Sequence, residues 1–264
     1  MNNQPIGLMD SGVGGLTVYK QVYNLLPNES YVFVGDQANL PYGEKSPKEV
    51  LDLTKRITEW LIKNKNIKML VIACNTATAA ALPKIKSMFE IPIIGVIEPG
   101  SYMAATQTKN NKIGIIATDG TVKSGKYNEL ISEFNNEAQI YSLGCPRFVP
   151  MIEDGLAHTP QMKKVVDEDL AFFDNTEIDT LVLGCTHYPI IQELIQDRLK
   201  KVVLINPGIA TANTVNEYLV NHHLLSDQVI GNSEFISTGD TEQFTQTANE
   251  LLNRKDIKAQ HIDI

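Results

Sequence analysis

At 264 residues the chain is long enough for one large domain or two modest ones. Hydrophobic residues make up 43% and charged residues 20%, a globular balance that excludes disordered, collagen-like and coiled-coil chains. Lys and Arg total 23 against 31 Asp and Glu, a formal charge of −8 with no basic stripe, so nucleic acid is not an expected partner. Three cysteines do not make a disulfide framework. No apolar run approaches the roughly 18 residues of a membrane span, and Met1–Pro5 carries no positive region of a signal peptide. The expectation is a cytoplasmic protein with reduced thiols and no membrane association.

Apolar runs at residues 6–9 and 31–34 read as the first two strands. Ser46-Pro47-Lys48-Glu49 is a capping box with Pro at the first helical position. It opens a helix whose Val50, Leu53, Ile57, Trp60 and Leu61 share one face. Strands are predicted at 68–73, 92–97, 112–117 and 139–143, a helix from Thr159-Pro160, then strands at 180–183 and 202–205. A helix at 211–219, a strand at 234–237 and a helix at 241–252 close the chain and are expected to complete the first lobe. The strands do not alternate apolar with polar residues, so both faces should be covered, as in a parallel sheet. The predicted class is α/β with helices flanking each sheet.

The chain also repeats itself. Ile6-Gly7-Leu8-Met9 matches Ile113-Gly114-Ile115-Ile116, and Gly35 with Pro41 matches Gly144 with Pro150. Met69–Cys74 matches Thr180–Cys185, and Ile97-Glu98-Pro99-Gly100 matches Ile205-Asn206-Pro207-Gly208. Four matches in one order, offset by about 107 to 111 residues, predict a duplication. Two similar lobes follow, residues 1–97 with 209–264 and residues 98–208. They are expected to be related by pseudo-two-fold symmetry, with the active site in the cleft between them.

Ligands of parallel α/β sheets bind beyond the carboxyl ends of the strands. There stand Asp10-Ser11-Gly12-Val13-Gly14-Gly15, Gly35-Asp36, Pro41-Tyr42-Gly43, Cys74-Asn75-Thr76, Thr118 with Gly120-Thr121, Cys145, Glu153 and Cys185-Thr186-His187. The glycine turn lacks the spacing of a dinucleotide site and the lysine of a P-loop. It reads as a tight turn whose amides are free to hold a carboxylate. Cys74 and Cys185 occupy the same place in both repeats, at a strand end that should feed a helix N-terminus and favour thiolate. Two acid/base groups on opposite faces of one carbon suit racemisation. Cys185 with His187 alone does not supply a metal-ligand set, and no metal is expected. Cys145, whose first-lobe counterpart is Asp36, reads as structural. Asp10 and His187 are candidates to exchange protons with the thiols, although Asp10 also suits a turn cap and His187 a structural imidazole. Glu153 reads equally as a functional carboxylate or an exposed loop acid.

The segments Met9–Val18, Pro41-Tyr42-Gly43, Ala73-Cys74-Asn75-Thr76-Ala77, Gly95–Gly100 and Gly184-Cys185-Thr186-His187-Tyr188-Pro189 resemble those of the bacterial glutamate racemases. Agreement extends to Ile116-Ala117-Thr118, Cys145-Pro146, Phe148-Val149-Pro150 and Ser237-Thr238-Gly239-Asp240. The resemblance implies a cofactor-independent isomerase, a homodimer, that interconverts L- and D-glutamate and supplies the D-enantiomer for peptidoglycan. It implies Cys74 and Cys185 as the two bases, assisted by Asp10, His187 and Glu153. It also implies substrate binding by Asp10, Ser11, Tyr42, Gly43, Asn75, Thr76, Thr118, Thr121, Thr186 and His187. Two stretches depart from the family pattern, Gln37-Ala38-Asn39 and Asn206–Thr211. Racemisation of aspartate or another acidic amino acid is the alternative within the same chemistry. A two-lobed binding protein and a non-catalytic regulator are the alternatives outside it.

Overall fold

The computed structural model describes residues 1–264. Its ten strands are β1 (Ile6–Asp10), β2 (Tyr31–Gly35), β3 (Met69–Ile72), β4 (Ile93–Gly95), β5 (Lys112–Ala117), β6 (Gln139–Gly144), β7 (Thr180–Gly184), β8 (Val203–Ile205), β9 (Ser233–Ser237) and β10 (Gln260–His261). They form two sheets in two units: Met1–Val96 with Gly208–Ile264, and Ile97–Pro207. The boundaries expected from sequence lie one residue further along. No helix is long and apolar enough to cross a membrane.

The first unit holds a six-stranded sheet, ordered β10-β9-β2-β1-β3-β4, with every pairing parallel. Successive residues of a strand point to opposite faces, and here both faces are buried. Ile6, Leu8, Phe33 and Val71 enter one cluster with Leu16, Tyr19 and Val22, with Val215 and Leu219, and with Phe244 and Ala248. Met9, Val32, Val34, Leu70 and Ile72 enter the other, with Val50, Leu53, Ile57, Leu61, Ala77, Ala81 and Ile85. The first face is thus covered by helices Leu16–Leu25, Pro207–Asn221 and Thr241–Leu252. The second is covered by Pro47–Lys65 and Asn75–Met88. The Ser46 capping box forms, with Ser46 accepting from the Glu49 amide and Glu49 accepting from the Ser46 amide.

The second unit holds a four-stranded parallel sheet ordered β6-β5-β7-β8, the same order as β2-β1-β3-β4. The registers repeat as well. Ile6 pairs with Tyr31 and Met69, and Ile113 pairs with Ile140 and Thr180. The fourth sequence match sits out of ladder register, because Leu70 pairs with Ile93 and its counterpart Leu181 pairs with Leu204. One face is packed by Phe148, Met162, Val166, Leu170, Tyr188 and Ile195. Helices Ile97–Gln107 and Lys126–Phe134 pack on each other, and the former also lies against β7 and β8.

Three local expectations are corrected. The strand expected at 92–97 ends at Gly95, and a helix begins at Ile97. Val96 and Ile97 are apolar because both are buried, while Pro99 sits in the first helical turn where its missing amide costs nothing. β6 is an edge strand whose residues all keep some exposure, so its faces are not both covered. The short edge strand β10 carries no apolar signal and went unpredicted.

Away from the strand ends that carry chemistry, a buried ion pair clamps the first unit. Lys68 Nζ donates to Glu29 Oε2 at 2.5 Å and to the carbonyls of Asn2 and Leu224, each at 2.7 Å. The two side chains are 1% and 2% exposed, and burial pulls the Lys68 ammonium below its ordinary pKa despite its partner. Removing one member of such a pair strands the other charge. Lys68→Met is expected to cost about 3–5 kcal/mol in urea unfolding. A loss under about 1 kcal/mol would show that the clamp is not structural.

Candidate active site

Both cysteines singled out from sequence lie just past the carboxyl end of the strand that flanks the first strand of its unit. In the first unit the ladder between β1 and β3 ends with Met9 opposite Ile72, and the Ala73 amide then donates to the Met9 carbonyl. Cys74 follows as the N-cap of helix Asn75–Met88. Its Sγ accepts from the Ala77 amide at 3.4 Å and donates to Ser11 Oγ at 3.7 Å. The thiol is nearly buried, so an anionic sulfur here is stabilised by helix amides rather than by bulk water. Asn75 and Thr76, both buried, form the first helical residues beside it.

Asp10 ends β1 and is fully buried. Its Oδ2 accepts from the amides of Gly12 at 3.1 Å and Gly15 at 3.0 Å. The glycine turn was expected to hold a ligand carboxylate with free amides. Two of those amides are instead held by the chain's own Asp10, which they orient. Gly15 is required there because a Cβ would fall 2.4 Å from that of Asp10. Tyr42 and Gly43 lie in a 3-10 turn, Tyr42–Glu44, after a cis Leu40–Pro41 peptide. The Tyr42 hydroxyl is committed to Asp36 Oδ2 at 2.6 Å, so the turn's main chain is what remains for a ligand. Burial, followed by the charge of Asp36, raises the Tyr42 phenol well above its ordinary pKa.

In the second unit β7 ends at Gly184, opposite Ala117 of β5, and Cys185 comes next. The expectation of a helix N-terminus at both cysteines fails here. Cys185 is followed by a turn and the 3-10 segment Tyr188–Ile191, and helix Gln192–Arg198 starts only later. An imidazole replaces the helix amides as the sulfur's neighbour. Cys185 Sγ lies 3.8 Å from His187 Nδ1, and His187 Nε2 lies 2.5 Å from Glu153 Oε1. His187 is buried, which by itself lowers its pKa. Its hydrogen bonds to Cys185 and Glu153 and their charges outweigh burial and raise it well above the ordinary value. Glu153, at the end of helix Phe148–Glu153, is a partner of a buried histidine and not an exposed loop acid.

Thr118 stands after β5 as Ser11 stands after β1. It caps helix Asp119–Ser124, accepting from the Thr121 amide and donating to the Thr121 hydroxyl at 3.1 Å. Thr121 and Thr186 are both buried. Cys145 is fully buried, and burial pushes its thiol pKa up. The structure thus gathers Asp10, Ser11, Tyr42, Cys74, Asn75 and Thr76 at the strand ends of one unit. It gathers Thr118, Thr121, Glu153, Cys185, Thr186 and His187 in the other. Asp36 carries no role in the sequence reading, although an acid directly after a buried strand was a visible signal. No group of three or more His, Cys, Asp or Glu side chains is arranged to hold a metal ion.

The sequence profile of the Asp/Glu/hydantoin racemase family matches residues 6–215. A glutamate racemase of Levilactobacillus brevis is 46% identical over 266 residues, covering 100% of this chain and 96% of the relative. Among solved structures, a glutamate racemase isoform from Bacillus anthracis superposes with a TM-score of 0.96 at 35% identity, over 100% of this chain and 99% of its own. A glutamate racemase from Francisella tularensis, in complex with D-glutamate, gives 0.93 at 33% identity, over 100% and 98%.

The Glu153–His187 bond sets a pH expectation. A histidine whose pKa is raised by folding adds stability that is complete below the unfolded value, about 6.5, and is lost as pH rises through the folded value. Glu153→Gln should therefore destabilise the fold more near pH 6 than in alkaline solution. It should also lower the titration midpoint of His187 followed by imidazole nitrogen NMR. A midpoint at or below about 6.5 in the unsubstituted protein would refute the coupling.

Proposed function

The chain belongs to the Asp/Glu/hydantoin racemase family and is an isomerase that acts on glutamate; from that premise we propose that Cys74 and Cys185 are its two bases. One observation supports this most directly. Each sheet ends a strand in a nearly buried cysteine with a proton-handling neighbour, Ser11 beside Cys74 and His187 beside Cys185.

In the mechanism, one thiolate removes the α-proton while the opposite thiol delivers its proton to the other face of the same carbon. The C–H bond broken on one side is replaced by a C–H bond on the other, and the two sulfurs exchange protonation states. Cys185 takes the proton from L-glutamate and Cys74 from D-glutamate, as the family resemblance implies. His187, held by Glu153, stabilises the sulfur charge of Cys185 and can carry its proton. Helix amides stabilise the sulfur charge at Cys74, and Asp10 assists from the adjoining strand end. Ser11, the Tyr42–Gly43 turn, Asn75, Thr76, Thr118, Thr121 and Thr186 bind the substrate's polar groups. Each step uses the chain's own residues, so the reading calls for no cofactor. We further propose that the protein works in the cytoplasm as a homodimer and supplies D-glutamate for peptidoglycan; light scattering tests the dimer.

In deuterium oxide, L-glutamate should lose its α-proton NMR signal as D-glutamate accumulates. A signal that persists would favour a binding protein, and faster exchange of aspartate would reassign the substrate. Cys74→Ala or Cys185→Ala should lower racemisation by about 10²–10⁴-fold. Because one base must be charged while the other is protonated, rate against pH should be bell-shaped. A β-chloro analogue of glutamate separates the two faces. Cys74→Ser should eliminate chloride mainly from the L-analogue and Cys185→Ser mainly from the D-analogue. Equal elimination from both enantiomers by both variants would remove the cysteines from the mechanism.

A further inference from the structure

Asp36 and Cys145 occupy equivalent slots. The Asp36 amide donates to the Asp10 carbonyl and the Cys145 amide to the Ala117 carbonyl, both at 2.9 Å. The second unit fills its slot with a weakly polar thiol, fully buried. The first unit fills the same slot with a carboxylate only 2% exposed. Burying a carboxylate is costly unless donors surround it, so its presence where a thiol suffices calls for a reason.

Its donors supply one. Tyr42 gives its hydroxyl proton to Oδ2 and Thr238 gives its own to Oδ1, each at 2.6 Å. Asn39 Nδ2 bridges both oxygens at 3.0 and 3.2 Å. Thr238 Oγ1 accepts in turn from the Ala38 amide, and the Ser237 hydroxyl reaches Gln37 Oε1 at 2.9 Å. The stretch 37–39, which departs from the family pattern, is thus tied into the bonds that hold Asp36. Every donor is neutral. The other end of this network is the Tyr42–Glu44 turn, and Tyr42 shares a buried cluster with Cys74.

We propose that Asp36 is a positioning residue: through Tyr42 it fixes the Tyr42–Gly43 turn against the substrate, and Thr238, at the end of β9 and 202 residues away in sequence, is its second anchor. The proposal rests on the reading of that turn as part of the glutamate-binding surface. Asp36 moves no proton of the reaction, so its anchors govern substrate affinity and leave the chemical step alone.

The test is the kinetics of Thr238→Val, which keeps shape and removes the donor, beside Thr238→Ser, which keeps the hydroxyl. Thr238→Val should raise KM for both enantiomers by roughly three- to tenfold with kcat within about twofold, and Thr238→Ser should restore KM. Tyr42→Phe should raise KM as well. The double variant should fall short of the product of the two effects, because both act through one carboxylate. An unchanged KM in Thr238→Val, a fall in kcat instead, or independent effects of the two substitutions would overturn the proposal. A KM that rises only in step with lost thermal stability would overturn it too. Should the unsubstituted protein exchange no α-proton of glutamate, the function above is what falls. A KM that stays put in an active protein removes only the role of Asp36.

Discussion

The parallel ladders β2-β1-β3 and β6-β5-β7 are the constraint on which the remaining structure depends. A parallel strand needs a crossover to return, and the helices that make the crossovers cover both faces of the sheet. Nothing polar can stand inside such a layer without a partner, and Ile6, Leu8, Phe33, Val71, Leu181 and Leu183 show how thoroughly it is filled. Chemistry is left with the strand ends, where backbone amides of turns and helices converge. In both units a cysteine stands just past the strand on one side of the first strand, and Asp36 or Cys145 follows the strand on the other side.

Within that shared frame the two units solve one electrostatic problem differently. In the proposed mechanism a sulfur that accepts a carbon-bound proton must carry negative charge beforehand, and near-burial removes the water that would otherwise support it. Cys74 has a helix first turn and the Ala77 amide at its back. Cys185 has lost the helix to the 3-10 segment Tyr188–Ile191 and gained the His187–Glu153 pair. Fixed dipoles stabilise charge without being able to take up a proton, whereas an imidazole does both. The second thiol therefore has a local proton reservoir that helix amides do not provide for the first.

Strand positions and the duplication were legible because a strand covered on both faces leaves an uninterrupted apolar run. The cysteines were legible because the repeat places them at matching positions. What escaped reading has equally definite causes. Val96 and Ile97 belong to a loop and a helix start yet are as apolar as a strand, since periodicity reports burial and not backbone dihedrals. β10 is two exposed polar residues held by backbone bonds. The partner of the Gly12 and Gly15 amides could not be identified, because nothing in the order of residues says that Asp10 folds back over its own turn. Asp36 was visible as an acid after a strand, but Thr238 lies too far along the chain to be read as its donor.

The donors chosen for buried carboxylates divide the first unit into two ends with different duties. At the amino end, Glu29 is neutralised by Lys68, which also collects carbonyls from residues 2 and 224, so charge is spent on holding distant segments together. At the carboxyl end, Asp10 accepts from the Gly12 and Gly15 amides, and Asp36 accepts from two hydroxyls and a carboxamide. Neutral donors satisfy lone pairs without cancelling charge, so those around Asp36 leave its field at the strand end. A lysine there would satisfy the carboxylate equally well and neutralise that field. The same burial physics thus yields a clamp at one end of the sheet and a polarised surface at the other, and the difference lies wholly in whether the donor carries a charge.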